Sequence, residues 1–254
     1  MSLIRNGVVF SYFLLATGYA CANGQFDSGG IALGMSPEEA RAAAKSGFRF
    51  QDDGFVTFKG SNKIGAYYAH RKGKPMGDSL DYGPDIEKVI VNFSTHSQKA
   101  VSIVREQYFP KGAKPNVEVL AASLTKKYGP ASFVSRGPDS MYFFWQRDTA
   151  GSVERWQSNA QSRKCASETR VRTVATYQFV IPETFKSDCG ISIYAHFDTE
   201  EMIGSPTVQK LQITLVDHQT AYADLKKDAE AKEAERVQSD RKRLKESEAV
   251  KVNL

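Results

Sequence analysis

KVIVNFSTHSQKAVSIV, residues 88–104, is the stretch on which the fold turns. Val89, Val91 and Phe93 alternate with Ile90 and Asn92, and Val101 and Ile103 alternate with Ser102. Thr95-His96-Ser97 separates the two runs. Period-two alternation on both sides of a short polar turn predicts a β-hairpin. A hairpin makes its two strands antiparallel, so the sheet built around it is expected to be antiparallel.

Upstream, Phe48–Phe58 and Ile64–His70 read as two short strands joined by a turn at Gly60-Ser61-Asn62. Residues 71–87, with glycines and prolines clustered in Lys72–Gly77 and again at Gly83-Pro84, read as a long loop. Before them stands Gly34-Met35-Ser36-Pro37-Glu38-Glu39-Ala40. Ser36 is a helix cap, Pro37 suits the first helical position, and Glu39 completes a capping box. That helix is expected to stop at Gly47.

Downstream, Val117, Leu120, Ala121, Leu124 and Tyr128 recur at helical spacing behind the cap Asn116, and Gly129-Pro130 ends the run. Met141–Gln146, Thr176–Ile181, Gly190–Phe197 and Lys210–Val216 then read as strands. The order is helix, strands, helix, strands, with no strand repeatedly followed by its own crossover helix. This predicts an α+β fold of antiparallel sheet carrying two short helices, not a wound parallel sheet.

The last segment differs in kind. Asp224 to Glu248 holds eight acidic and eight basic residues without glycine or proline. Pairs at helical spacing (Asp228 with Lys232, Asp224 with Lys227, Glu233 with Arg236, Asp240 with Arg243) predict a long, solvated, charged helix. Leu225, Val237 and Leu244 are too few for a heptad seam. Docking on a partner and self-association are the other uses open to it.

The N-terminus carries Arg5, an apolar run over Val8–Leu15, and the small-x-small triplet Ala20-Cys21-Ala22. A run of about a dozen residues is too short to cross a ~30 Å bilayer. Residues 1–22 therefore read as a cleaved signal peptide. An uncleaved anchor and a lipoprotein ending on Cys21 are the alternatives, the latter lacking an aliphatic residue at Gly18. The expected layout is a linker at 23–30, an α+β body at 31–216 and a charged tail at 217–254. The body divides further into two helix-plus-sheet halves, 31–109 and 115–216. After cleavage no membrane span remains, and the chain belongs in the periplasm or outside the cell.

Cleavage also removes Cys21. Cys165 and Cys189 are left as a pair in an oxidising compartment, which predicts a structural disulfide. Around it gather Arg155, Trp156, Arg163, Lys164, Arg170 and Arg172. A basic loop pinned by a disulfide and carrying a tryptophan is a candidate binding surface, and a solvated loop with its tryptophan packed on the sheet is the plainer reading.

The chain has 254 residues, a formal net charge of +5 and 25% charged residues, and its mean hydropathy is negative. A multispanning membrane protein is excluded. Losing Arg5 leaves +4, too diffuse for nucleic-acid binding. No nucleophile elbow, phosphate-binding loop or dinucleotide fingerprint occurs. His70, His96, His196 and His218 are too far apart in sequence for a metal motif and read as surface or strand histidines. No cofactor, metal or catalytic residue is assigned. Asp52-Asp53 before Gly54 reads as a turn, and Asp198 precedes Glu200-Glu201 at a strand end. These carboxylates are the basis of a rival reading as a hydrolase of envelope polymers.

The Gly34-to-Glu39 helix start and Tyr128-Gly129-Pro130 resemble the small periplasmic α+β repeats of the outer-membrane-assembly lipoproteins and β-lactamase inhibitory proteins. The resemblance implies a fold that binds other proteins. On it rests the expectation of a non-catalytic binding or adaptor protein of the cell envelope, or an inhibitor of a secreted enzyme.

Overall fold

A computed structural model describes residues 26–48, 50, 52–72, 85–156, 165, 169–174, 177–202 and 205–248. Its elements in chain order are β1 (Asp27–Ser28), β2 (Ile31–Ala32), α1 (Pro37–Gly47), β3 (Asp52–Thr57), β4 (Ile64–Lys72), β5 (Asp85–Phe93) and β6 (Ala100–Tyr108). Then follow α2 (Val117–Tyr128), β7 (Phe133–Arg136), β8 (Ser140–Gln146), β9 (Thr169–Val174), β10 (Tyr177–Pro182), β11 (Ile191–Met202), β12 (Ser205–Asp217) and α3 (His218–Glu248). The fold is α+β, with an antiparallel main sheet and a long C-terminal helix, as the alternation and capping signals predict.

Both short helices begin and end where their caps dictate. The Ser36 side chain accepts from the Glu39 N–H while the Glu39 carboxylate accepts from the Ser36 N–H, which satisfies two donors at the start of α1. Asn116 caps α2 by accepting from the Glu118 N–H, and Gly129 follows its last turn at φ 84°, where a side chain would be strained.

The main sheet has eight strands in the order β3-β4-β5-β6-β12-β11-β8-β7, every pair antiparallel. It contains two four-strand ladders, each preceded in sequence by one helix. They join through their last strands, β6 and β12, and β9–β10 is inserted between β8 and β11 as a separate hairpin.

Register assigns every side chain to one of two faces. Tyr67, Val89, Val91, Ile103, Ile213, Leu215, Ala195, Phe197, Phe143 and Trp145 fall on one face, where they pack with Ala40 and Ala44 of α1 and Val117, Ala121, Leu124 and Tyr128 of α2. This helix face is the main core. Ala66, Ile90 and Val104 lie on the other face beneath Phe179 and Ile181 of β10, forming a second, smaller core.

Several boundaries differ from the sequence reading. The expected linker at 23–30 holds β1, whose Ser28 is buried and whose Asp27 takes bonds from Lys127 and the Tyr128 hydroxyl. The fold therefore begins before Ile31. Strand β3 starts at Asp52 rather than Phe48, and β4 and β5 each extend into the expected loop 71–87. Residues 73–84 of that loop, and the whole of the 1–22 signal segment, lie outside the described residues.

Candidate functional site

The second face of the sheet is chemically unlike the first. Successive registers align Asp52, His70, Lys88, Glu106, Gln212, His196 and Tyr142 in one row across the strands from β3 to β8. Glu106 is buried, and it is held by Lys88 at 3.1 Å and Lys210 at 3.8 Å. Burial works against the charge on Lys210, but Glu106, Tyr108 and Asp198 outweigh it and raise its pKa. The His196 ring stacks on Tyr142 at 4.4 Å with 2° between planes, and its Nε2 lies 3.2 Å from the Asp198 carboxylate. Burial nevertheless lowers the His196 pKa; Asp198 opposes that shift and Lys210 adds to it. The result is a rigid polar line with aromatic rings at its β8–β11 end.

Cys165 and Cys189 are bonded, with Cα atoms 5.8 Å apart. The bridge ties the segment before β9 to the turn that enters β11. The next residue, Gly190, donates to the Arg147 carbonyl and passes so close to the Asp148 carbonyl that no side chain fits there. Lys88 donates across the layer to the Gln178 carbonyl of β10.

The basic residues proposed around Cys165 have separate surroundings. Trp156 is half-buried against Phe144, with ring centroids 5.8 Å apart, while exposed Arg155 reaches the Ala131 carbonyl. Arg170 and Arg172 stand on strand β9, not on a loop, opposite Ile181 and Phe179. Arg170 is exposed and lies 3.5 Å from Glu183. Arg163 and Lys164 lie outside the described residues. The sequence reading missed β9 because its described side chains lie exposed and give no apolar alternation: Val171 is 59% exposed.

The two carboxylate features behind the hydrolase reading stand on different strands, Asp52-Asp53 on β3 and Asp198 with Glu200-Glu201 on β11. Asp52 and Asp198 sit on β3 and β11, five strand steps or about 24 Å apart at ~4.8 Å per step. Glycoside hydrolysis needs carboxyl groups within roughly 10 Å. Asp52-Asp53-Gly54 is strand rather than turn, paired with His70, Ala69 and Tyr68, and Asp53 is engaged by Arg41 at 2.6 Å. Strand β11 runs on past Asp198 through a bulge, and Glu200 pairs with Lys114.

One serine–histidine pair was not visible in the sequence. His218 is the first residue of α3, fully buried, and its Nε2 lies 2.7 Å from the Ser192 hydroxyl. It is neither a surface nor a strand histidine. The Lys186 N–H donates to Nδ1 at 3.4 Å, so Nε2 carries the proton and donates to Ser192. A general base needs the opposite tautomer. Burial pushes the His218 pKa down to about 4, which keeps the ring neutral. The pair is a structural tie between β11 and the root of α3. Among the described residues no cluster of three or more potential metal ligands occurs.

Helix α3 is mounted on the body through its first turns. Ala221 and Asp224 are buried. The Asp224 carboxylate accepts the His96 and Ser97 N–H groups at 3.2 and 3.1 Å, capping the tip of the β5–β6 hairpin. Asp228 takes the Thr95 hydroxyl at 2.7 Å and faces His96 Nε2 at 2.8 Å. Burial opposes ionisation of Asp224, but the Ser94 hydroxyl, the Ser97 and His96 N–H groups and Lys227 outweigh it and lower its pKa. From Ala229 to Ser247 every residue is exposed except half-buried Val237. Lys226–Glu230, Glu233–Arg236, Arg236–Asp240 and Lys242–Glu246 pairs support that stretch. Of the pairs read from spacing, Asp224–Lys227 and Glu233–Arg236 form, whereas Asp228 turns to the body and Asp240 to Arg236. No described helix is long and apolar enough to cross a membrane.

No protein family, curated protein or solved structure matches this chain.

Proposed function

We propose that this chain is an exported, non-catalytic binding protein of the periplasm or cell exterior, acting as an adaptor or inhibitor through protein–protein contacts in the envelope. The observation that carries the reading is the mounting of α3. A helix with polar residues all round contributes almost nothing to the core, yet its root is fixed by Asp224, Asp228 and His218. About twenty further residues extend ~30 Å from that root at a set angle. A rigidly mounted arm that does not stabilise the body is suited to presenting charge to a partner. The fitting partner is a protein surface with both signs of charge, or a second copy of the same helix.

Two further features agree with this reading. The disulfide suits an oxidising compartment. A helix-plus-four-strand unit occurs twice in one sheet, an arrangement compatible with a body built for binding. With Asp52 and Asp198 about 24 Å apart, the two carboxylate features do not combine into one site, which favours the binding reading over the hydrolase alternative.

The test is capture of envelope proteins by the mature chain and by a chain ending at Glu230. Truncation there keeps His218, Asp224 and Asp228, whereas ending the chain at Asp217 would remove buried residues. A partner recovered by the full chain, lost on truncation and released by salt is the expected result. Identical recovery by both chains would overturn the arm as the binding element. Cell fractionation and N-terminal sequencing should find the protein outside the cytoplasm, starting near Asn23.

A further inference from the structure

We propose a second binding site, independent of the arm: the cavity of about 340 Å³ between the sheet and its β9–β10 side receives an uncharged, ring-bearing small molecule with hydroxyl or carbonyl groups. Its floor comes from the second face of the sheet, where β8, β11 and β12 supply Phe144, Ser192, Tyr194, Gln212 and Thr214. Trp156, Val180 and the disulfide residue Cys165 wall it. The volume falls within the range of small-molecule sites.

Three observations set the ligand chemistry. The described lining is made of aromatic, aliphatic and neutral polar side chains, a surface on which a neutral ligand loses less hydration than an ionised one. The aromatic rings form one connected surface running from floor to wall: Phe144 lies 5.8 Å from Trp156 and 5.1 Å from Tyr194, both tilted. Such a surface suits a flat ring in an edge-to-face or offset contact. Finally, the polar groups are neutral and have bonding capacity left. Neither Gln212 nor Thr214 makes a side-chain hydrogen bond among the described residues. Ser192 accepts from His218 Nε2 and keeps its own proton to donate. The cavity thus offers an aromatic surface for a ring and several neutral groups for hydroxyls or carbonyls.

The bridge has a role here. Cys165 is at once a wall residue and tied to Cys189 at the entrance to β11, whose Ser192 and Tyr194 form part of the floor. Wall and floor are therefore covalently linked.

A matched pair of probes tests this with the intact protein. N-phenyl-1-naphthylamine and 8-anilinonaphthalene-1-sulfonate share a ring skeleton and differ by one sulfonate. The proposal expects saturable one-to-one binding of the neutral probe, with the sulfonate bound at least about tenfold more weakly. Thr214→Phe and Val180→Phe, which fill the cavity from opposite sides, should each weaken the neutral probe by about tenfold or more. Reduction of the disulfide should weaken it as well. Equal or tighter binding of the sulfonate, or no saturable binding, overturns the proposal on the wild-type protein alone, whether or not the variants fold. Wild-type affinity in a folded filling variant overturns it too. None of these readings depends on the arm, so the chain ending at Glu230 should bind the probe unchanged.

Discussion

The two faces of the eight-stranded sheet were built for different work. The helix face carries Val89, Ile103, Leu215, Ala195 and Phe197, all fully buried or nearly so beneath α1 and α2. The opposite face carries Lys88, Glu106, Gln212, His196 and Tyr142 in a line, with a small core at one corner and a cavity beside it. An antiparallel sheet needs only one face in a core to be stable. The second is then free to hold charges, rings and a disulfide-tethered wall that would be costly in a continuous core.

Truncating one large side chain on each face should separate them by the largest margin. Phe197→Ala, at a fully buried position on the helix face, is expected to cost about 3–5 kcal/mol in urea unfolding. Tyr194→Ala on the other face, where the side chain is half-buried, should cost less than about 2 kcal/mol. Equal costs would mean that both faces carry the fold.

Acid should act on the second face and the root of α3 together. The His218 pKa falls from 6.5 unfolded to about 4 folded, so the unfolded chain takes up a proton that the folded chain refuses. Stability attached to the neutral ring is complete above about pH 6.5 and is lost as pH falls toward 4, amounting to about 3 kcal/mol. His218→Gln should flatten the stability curve in that window. Asp224, with its pKa also lowered, adds a further loss at still lower pH as its carboxylate is protonated.

Reducing the Cys165–Cys189 bridge, which spans a sequence separation of 24, is expected to cost about 3 kcal/mol by loop entropy. Hydrogen exchange should rise first around β9 and β10, leaving the helix-face positions of β11 and β12 protected. Smaller again, Asp224→Ala should cost about 1–2 kcal/mol and speed exchange of the His96 and Ser97 amides, because it leaves those two N–H groups without their acceptor. Ending the chain at Glu230 should shift the melting temperature by no more than about 1 °C, since the described residues removed are exposed apart from half-buried Val237.

What was legible in the chain was whatever is written locally. The capping box at Ser36, the Asn116 and Gly129 boundaries of α2 and the alternation over 88–104 each lie within a few residues of the structure they specify. The disulfide followed from counting cysteines. Elements whose signal depends on distant neighbours were not legible. The described side chains of β9 are exposed and create no apolar alternation, and Asp52-Asp53 mimics a turn because an edge strand tolerates acids that partners elsewhere neutralise. Lys88 and Glu106 become partners only through the β5–β6 register, and Ser192 and His218 only when β11 lies beside β12. The polar row is therefore invisible until the sheet is assembled. The sixteen charges of the tail were plain, but the turn of Asp224 and Asp228 onto the hairpin tip was not.

Site-specific photo-crosslinking in living cells tests the central claim that α3 is a mounted binding arm. The photoreactive residue is placed at Val237 or Leu244 on α3 and, as a control, at exposed Lys59 on the body. A binding arm should give a discrete adduct of one partner protein, or of a second copy, from the two helix positions and none from Lys59. Absence of any adduct from the helix, or the same adducts from all three positions, would contradict it.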